Sequence, residues 1–272
     1  MDTFVSGAWH HYIIVETVDL ELFRPLAGPR RTILEMEAIL PKWIYHLTRI
    51  PFVNNRSLWF SFRTGFMIGW HVQQLVKLEM AFQLNEEGLL YCDSDVFFVR
   101  PFEVSSLVEN GKFRFFSTGL EFPEDVITNP KFSSVSAKQL GLVKSVFPCR
   151  TYVENLVTWH RPTVLKLCAH IAQVSGKNWK VALGRNVIIS EYALYGLYVD
   201  RILKGNAPVK TDHQTLCKTI WSKTQLSENE LNQFCDTLEP HIVSIGVQSF
   251  AGIATERLEK QLQRAMAKAA LN

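Results

Sequence analysis

Two aspartates separated by a single residue, Asp93 and Asp95, lie between two short apolar runs, residues 89–92 and 96–99. If one strand continued through both, their alpha carbons would lie about 6.5–7 Å apart on the same side. Two ionised carboxylates at that separation repel by roughly 2–2.5 kcal/mol at an effective dielectric constant near 20. A divalent cation with oxygen ligands, Mg²⁺ or Mn²⁺, is best suited to offset that cost. The pair therefore predicts a metal site. A solvated turn has the same spacing, and the flanking apolar runs are what favour the metal.

A helix is predicted just before this segment, over residues 69–84, because apolar residues recur there at helical spacing. Gln73 and Lys77 lie one turn apart on the same helix face, with Gln74 beside them. A lysine so placed would meet a diphosphate as a point charge. A solvated helix face explains the same three residues equally well.

Composition limits the classes of protein to consider. The 272 residues suit one large α/β domain or two small ones, and 47% apolar against 20% charged residues allow a sizeable core. A net charge of +3 without a basic cluster gives no case for nucleic-acid binding. The five cysteines are widely spaced without zinc-site spacing, which predicts reduced thiols in a cytoplasmic protein. We expect no signal peptide, because the N-terminus lacks a basic region followed by an apolar core. We expect no membrane-spanning segment, because no apolar run of about 18 residues occurs.

The remaining elements predict a single α/β domain over residues 1–253 and a C-terminal helix over 254–272 that packs on it or extends from it. Strands and helices alternate in the first half, which favours a mostly parallel sheet flanked by helices, with ligands beyond its carboxyl strand ends. The segments expected are strands at 11–17, 32–36, 112–117 and 241–247 and helices at 162–174 and 189–204, with a capping box at Ser227 opening another helix. The last helix has a basic stripe, which indicates a solvated face or contact with anionic lipid; it consists of Arg257, Lys260, Arg264 and Lys268.

Three segments in this order resemble the nucleotide-sugar-binding half of GT-A fold glycosyltransferases, and more closely a bacterial family of uncharacterised proteins assigned to that fold. They are Gln73-Gln74-x-x-Lys77, Asp93-Ser94-Asp95 and Ser190-Glu191-Tyr192-x-x-Tyr195-Gly196. The resemblance covers most of the chain, though loosely at its C-terminal end. GT-A proteins usually open with a strand and helix that hold the nucleotide base, whereas this chain reaches its second strand by Tyr12. The first strand is therefore expected to be shortened or missing.

The resemblance implies a metal ion, Mn²⁺ or Mg²⁺, that joins Asp95 to the diphosphate of a nucleotide sugar, with Asp93 as its partner. Lys77 would then stabilise the departing nucleoside diphosphate. Glu191 is the candidate base on the acceptor side, although a glutamate at a helix N-terminus is also favoured by the helix dipole.

Further contacts are expected from residues outside those three segments. Trp159 and His160 offer a stacking face and polar contacts to a sugar, or simple packing. The resemblance also implies a third metal ligand, often a histidine, near the C-terminus. His241 is available for that role at the start of the late strand, and Gln248-Ser249 occupies the end of the strand.

The function predicted from the sequence is transfer of a sugar from a nucleotide-diphosphate donor to a glycan or other hydroxyl acceptor. One alternative is a GT-A-like protein that binds sugar or nucleotide without turnover. Another is a phosphohydrolase of the haloacid dehalogenase type, in which a strand-end Asp-x-Asp supplies nucleophile and acid. That group prefers Thr or Val where this chain has Phe97, and its motif usually lies near the N-terminus.

Overall fold

A computed structural model describes residues 1–50, 56–125, 127, 130–142, 146–221, 226–248 and 251–269. Within these ranges the chain forms a mixed α/β structure, as the sequence predicts at the level of class. The α-helices are α1 (Leu20–Phe23), α2 (Met36–Ile39), α3 (Gly69–Gln83), α4 (Pro130–Gln139), α5 (Arg161–Ser175), α6 (Trp179–Gly184), α7 (Glu191–Leu197), α8 (Glu228–Asp236) and α9 (Thr255–Ala269). Residues 270–272 of the predicted last helix lie outside the described ranges.

The strands are short and spread along the whole described chain. They are β1 (Val5–Ser6), β2 (His11–Val15), β3 (Arg31–Glu35), β4 (Tyr45–Ile50), β5 (Arg56–Ser61), β6 (Gly65–Ile68), β7 (Gly88–Cys92), β8 (Val96–Phe98), β9 (Phe102–Glu103), β10 (Val108–Glu109), β11 (Lys112–Phe116), β12 (Leu156–His160), β13 (Val209–Asp212), β14 (Cys217–Ile220) and β15 (Ser244–Val247). The two-residue β1 precedes β2 in the chain and pairs in parallel with β9.

The strands form several small sheets rather than one parallel sheet. The described sheets are β1-β9, β2-β3, β4-β5-β6, β7-β12, β10-β11-β13 and β14-β15-β8. Pairing is parallel in β1-β9, β2-β3, β11-β13 and β14-β15, and antiparallel in the other five pairs. The expected mostly parallel order is therefore not what these pairings form. A principal reason is that strands β4, β5 and β6 pair as an antiparallel meander that the sequence analysis did not foresee.

Strand β12 was also missed, and it is the neighbour of the strand that leads to the aspartates. It pairs antiparallel with β7, from Leu156 opposite Cys92 to His160 opposite Gly88. All five of its residues are buried, so the sequence carries no alternation of polar and apolar side chains to mark a strand. The pairing holds β7 against the core from its first residue to its last.

The main core surrounds α3, which packs against α2, α5, α6 and α7. Most of α3 is buried, so its inner stripe is wider than the sequence indicated. Trp59 and Trp159 are among the largest fully buried side chains of this core. Because α3, β7 and α7 border the same core, the three segments of the sequence resemblance are placed around one packed core.

The C-terminal helix α9 packs on α8. Three of its four basic side chains form ion pairs with carboxylates of α8. Lys260 lies 2.8 Å and Arg257 lies 3.4 Å from the carboxylate of Glu228, and Arg264 pairs with Asp236. The basic stripe is therefore largely an intramolecular contact. In the part of the chain described, no helix has the length and apolar character needed to cross a bilayer.

Candidate functional site

The two aspartates lie on a turn between two strands, not within one strand. Strand β7 ends at Cys92 and β8 begins at Val96, and the Val96 backbone N–H donates to the Asp93 carbonyl at 3.2 Å. The carbonyl of Asp95 accepts from the Val247 N–H at 2.9 Å, which ties the turn to the end of β15. The in-strand spacing assumed for Asp93 and Asp95 from the sequence is therefore corrected to a turn geometry.

The ammonium group of Lys77 joins this turn to helix α7. Its Nζ lies 3.0 Å from Asp93 Oδ1 and 3.0 Å from Glu191 Oε1, and it donates to the Tyr192 hydroxyl at 2.7 Å. Helix α3 brings Lys77 to this point, and the Tyr91 hydroxyl fixes the same turn of helix by donating to the Lys77 carbonyl at 2.6 Å. One cation thus connects β7, α3 and α7.

The charge state of this lysine follows from two opposing effects. Burial by itself would lower the pKa of Lys77, because it removes water from the ammonium group. The charges of Glu191 and Asp93 and the hydrogen bond to Tyr192 outweigh burial and raise the pKa of Lys77 well above its ordinary value. Burial likewise raises the pKa of the Tyr192 phenol. Lys77 is therefore a permanent cation at neutral pH, and Tyr192 stays protonated.

Gln74 completes the junction from the adjacent turn of α3. Its side chain is 1% exposed, and its Oε1 accepts the Glu191 backbone N–H at 3.1 Å. Its Nε2 has no hydrogen-bond partner among the described residues. A buried N–H donor left unsatisfied is costly, so this amide is poised to donate to a bound molecule or to water.

Helix α7 begins at Glu191 for a local reason. Ser190 is its N-cap and accepts the Ala193 N–H through its side-chain oxygen at 3.2 Å. The Glu191 carboxylate, only 5% exposed as a side chain, is thereby fixed beside the first turn of the helix. The same geometry satisfies the helix dipole and directs a carboxylate at Lys77, so the two readings of this residue are compatible.

All of these groups line one extended cleft with a volume of about 2330 Å³. Gln73 is exposed and lies on the wall of this cleft, one helical turn from Lys77. The polar residues that line the cleft include Gln73, Gln74, Lys77, Asp93, Ser94, Asp95, Asn155, Ser190, Glu191, Tyr192 and Gln248. A cleft of this size accommodates a ligand much larger than a single sugar ring.

Three residues predicted for the site are placed elsewhere. Trp159 is 1% exposed and stacks on Tyr195 with ring centroids 5.0 Å apart, so its ring offers no face to a sugar. His160 lies at the opposite end of β7 from Asp93, with Nδ1 2.8 Å from Thr163 Oγ1. Neither lines the cleft. Both side chains are buried, because β12 is covered on both of its faces.

His241 is not brought to the aspartates either. In the β15–β8 register Ser244 lies opposite Phe98 and Gly246 opposite Val96, so Asp95 lies next to the end of β15 at Val247. His241 precedes the other end of that strand. Gln248, which directly follows β15, lines the cleft with Asp95, and Ser249 lies outside the described residues. Within the described ranges, no group of three or more His, Cys, Asp or Glu side chains is arranged to hold a metal ion.

The sequence analysis missed Tyr192 and Tyr91 as members of the site. Both tyrosines pack on Trp159, with ring centroids 6.0 Å apart for Tyr192 and 4.7 Å apart for Tyr91. This buried ring therefore helps to fix the two tyrosines that contact Lys77. Tyr192 meets Lys77 across 115 positions of the chain, and periodicity carries no signal for such a contact. Tyr192 stood beside Glu191 in a recognised segment, which was the one available hint.

The chain belongs to a family of unknown function, DUF6492, whose family model matches residues 1–270. Among curated proteins, none matches the chain. Membership covers nearly the whole sequence but carries no assigned activity, so the chemistry must be argued from the residues of the cleft.

Proposed function

We propose that this protein is a metal-dependent glycosyltransferase with a GT-A-like arrangement, which moves a sugar from a nucleotide-diphosphate donor to a hydroxyl acceptor. The observation that carries the proposal is the Lys77 ammonium, held 3.0 Å from both Asp93 and Glu191 on the wall of a large cleft. This junction combines a permanent cation, an Asp-x-Asp turn and a second carboxylate. These are the groups that the resemblance to GT-A transferases implies for leaving-group stabilisation, metal binding and proton removal.

The charge balance of the cleft supports a divalent cation there. Asp93, Asp95 and Glu191 carry three formal negative charges against one positive charge on Lys77, and all four side chains line the cleft. The oxygen ligands of Asp93 and Asp95 suit Mn²⁺ or Mg²⁺, and such ions commonly complete their shell with phosphate and water. When bound, the ion would supply charge stabilisation for the leaving diphosphate. Asp95 and Asp93 are the residues that would hold it.

Lys77 is proposed to bind the departing phosphate. An ammonium group gains more from a phosphate of growing charge than from a carboxylate whose charge is constant. As Lys77 turns to phosphate, its hold on Glu191 weakens, and the Glu191 carboxylate becomes available to take a proton from the acceptor hydroxyl. Gln74 would donate its unsatisfied N–H to the same ligand.

The aspartate turn can be tested by thermal denaturation with nucleoside diphosphates and nucleotide sugars, each with Mn²⁺ and with chelator. We expect one nucleotide class to raise the melting temperature in the presence of Mn²⁺ only. The Asp95→Asn variant, which keeps the side-chain shape, should lose that shift. Asp125→Asn is the matched control, because Asp125 is exposed and does not line the cleft. An equal shift in wild type and Asp95→Asn would overturn the role of Asp95.

Turnover separates the transferase from its rivals. Release of nucleoside diphosphate from the stabilising nucleotide sugar, lost in Glu191→Gln while the thermal shift remains, is the result expected for a transferase with Glu191 as base. Binding with no release under any condition would indicate a binding protein instead. Phosphate release from simple phosphate esters would indicate a phosphohydrolase.

We also propose a cytoplasmic location for the protein, which is supported by its five free cysteines.

A further inference from the structure

The meander β4-β5-β6 has one face in the core and one face in solvent. Its inner face is formed by Trp59 and Met67, which are 0% and 2% exposed, with Ser57 and Ser61 beside them. Successive residues of a strand point to opposite sides, so the alternate positions of β5 and β6 face outward. In an ordinary half-buried antiparallel sheet those outward positions are polar.

Here the outward positions are apolar. Phe62 is 88% exposed and Phe66 65% exposed, and both rings lie 5.0 Å from the ring of Phe60. Phe60 is paired with Tyr45 on one side and with Phe66 on the other. We call this surface the aromatic face; it consists of Tyr45, Leu47, Leu58, Phe60, Phe62, Phe66 and Ile68. A contiguous exposed apolar surface usually marks an interaction site, whereas apolar residues scattered singly over a surface do not. The side chains named here are neighbours on paired strands and on the β5–β6 turn, so they form a contiguous surface.

The charged residues of the meander and its flanks in the sequence have one sign. Positions 38 to 76 contain no Asp or Glu, and their basic residues are Lys42, Arg49, Arg56 and Arg63. Lys42 and Arg63 are exposed. Arg185, also exposed, donates through Nε to the Arg63 carbonyl at 2.9 Å and brings a further cation to the β5–β6 turn.

We infer that the aromatic face docks on an anionic membrane surface. Aromatic and aliphatic side chains with a basic border match the interface of a bilayer, where the apolar part enters the acyl boundary and the cations meet lipid phosphates and carboxylates. A second copy of the chain fits this face less well, because self-association would bring Lys42 and Arg63 of each copy towards like charges. The basic stripe of α9 is less suited to the membrane, since three of its cations are paired with α8.

Co-flotation of the full chain with lipid vesicles tests this inference. We expect binding to vesicles that mix phosphatidylcholine with phosphatidylserine, because the anionic lipid gives the surface a negative potential that attracts basic residues. We expect little binding to vesicles of phosphatidylcholine alone. The double variant Phe62→Ser/Phe66→Ser should reduce the bound fraction at least tenfold, because two exposed phenyl rings no longer enter the interface. Arg63→Gln should reduce it by about fivefold, the effect of one cation near such a surface.

The matched control is Leu120→Ser, which removes an equally exposed apolar side chain outside the meander and should leave vesicle binding unchanged. Circular dichroism of each variant checks that folding is intact, which is expected because the altered side chains are exposed. The inference is overturned if the wild type does not bind anionic vesicles, or if the double variant binds them as well as the wild type. Sedimentation without lipid provides a further check: a wild-type dimer that the double variant converts to monomer would assign the face to self-association instead.

Discussion

At the scale of single residues, the cleft depends on Lys77. Its ammonium group separates two carboxylates, Asp93 and Glu191, which without it would face each other in a partly buried position. Removing one member of such a group leaves uncompensated charge, and that costs more than the pair itself contributes. Lys77 is therefore expected to matter for folding as well as for any ligand.

We expect Lys77→Met to lower the free energy of unfolding by about 3 kcal/mol. Methionine preserves most of the side-chain volume, so the loss reflects charge rather than a cavity. Urea denaturation at pH 7 measures it, with Lys138→Met as the control, because Lys138 is exposed on α4. If both substitutions change the free energy of unfolding by the same amount, Lys77 has no special electrostatic role.

The difference in stability between wild type and Lys77→Met has an expected pH dependence. The folded-state pKa of Lys77 is raised above its unfolded value, so its stabilisation is complete below about pH 10.4 and is lost only as pH rises through the folded pKa. The difference should therefore stay constant from pH 7 to pH 9. Denaturation curves at pH 7 and 9 measure this, and a difference that shrinks between these two values would contradict it.

The sequence anticipated part of this residue-scale arrangement. Gln74, Lys77, Asp93 and Glu191 were singled out, and the structure brings them into one cleft. Trp159 was expected at a sugar but lies beneath Tyr91 and Tyr192. The sequence does not distinguish a buried tryptophan from one that stacks on a ligand. The burial of β12 in the structure is what shows that Trp159 is of the first kind.

At the scale of elements, helices were easier to predict than strand pairing. Helix α3 was expected over 69–84 and forms over Gly69–Gln83, and the capping box at Ser227 opens α8 as expected. Helical signals are local, whereas the pairing of β7 with β12 joins segments more than 60 positions apart. The predicted helix at 189–204 forms as α7 followed by a π-helical turn, Tyr198–Leu203.

One glycine determines how closely α7 packs. A methyl group on Gly196 would lie 2.0 Å from Cγ of Tyr152, whose ring is buried and whose hydroxyl donates to Asp200 at 2.8 Å. We expect Gly196→Ala to lower the free energy of unfolding by about 3 kcal/mol, because the ring has no room to move. Gly28→Ala is the matched control, since nothing lies within 4 Å of its added methyl group. Equal melting temperatures for the two variants would contradict this account of α7 packing.

At the scale of the whole molecule, the described chain has one main core and smaller clusters around β8, β15, α8 and α9. The α/β class followed from the sequence, but the division into several small sheets did not. Apolar runs identify strands without specifying which strand lies beside which. The clusters near the C-terminus also border the aspartate turn, because β15 holds the Asp95 carbonyl through Val247.

This arrangement makes α9 part of the domain rather than an appendage. Ala265 is fully buried, and Leu262 and Met266 pack on the cluster that includes Ile242 and Ile245. We expect a chain ending at residue 253 to lose on the order of 4 kcal/mol of unfolding free energy, because several apolar side chains lose their cover. It should also bind a hydrophobic dye, and its Mn²⁺-dependent thermal shift should weaken, since β15 no longer holds the turn firmly. The double variant Leu262→Ala/Met266→Ala of the full chain should have a free energy of unfolding between that of the wild type and that of the truncated chain. A truncated chain with the stability and thermal shift of the full one would show that α9 only extends from the domain.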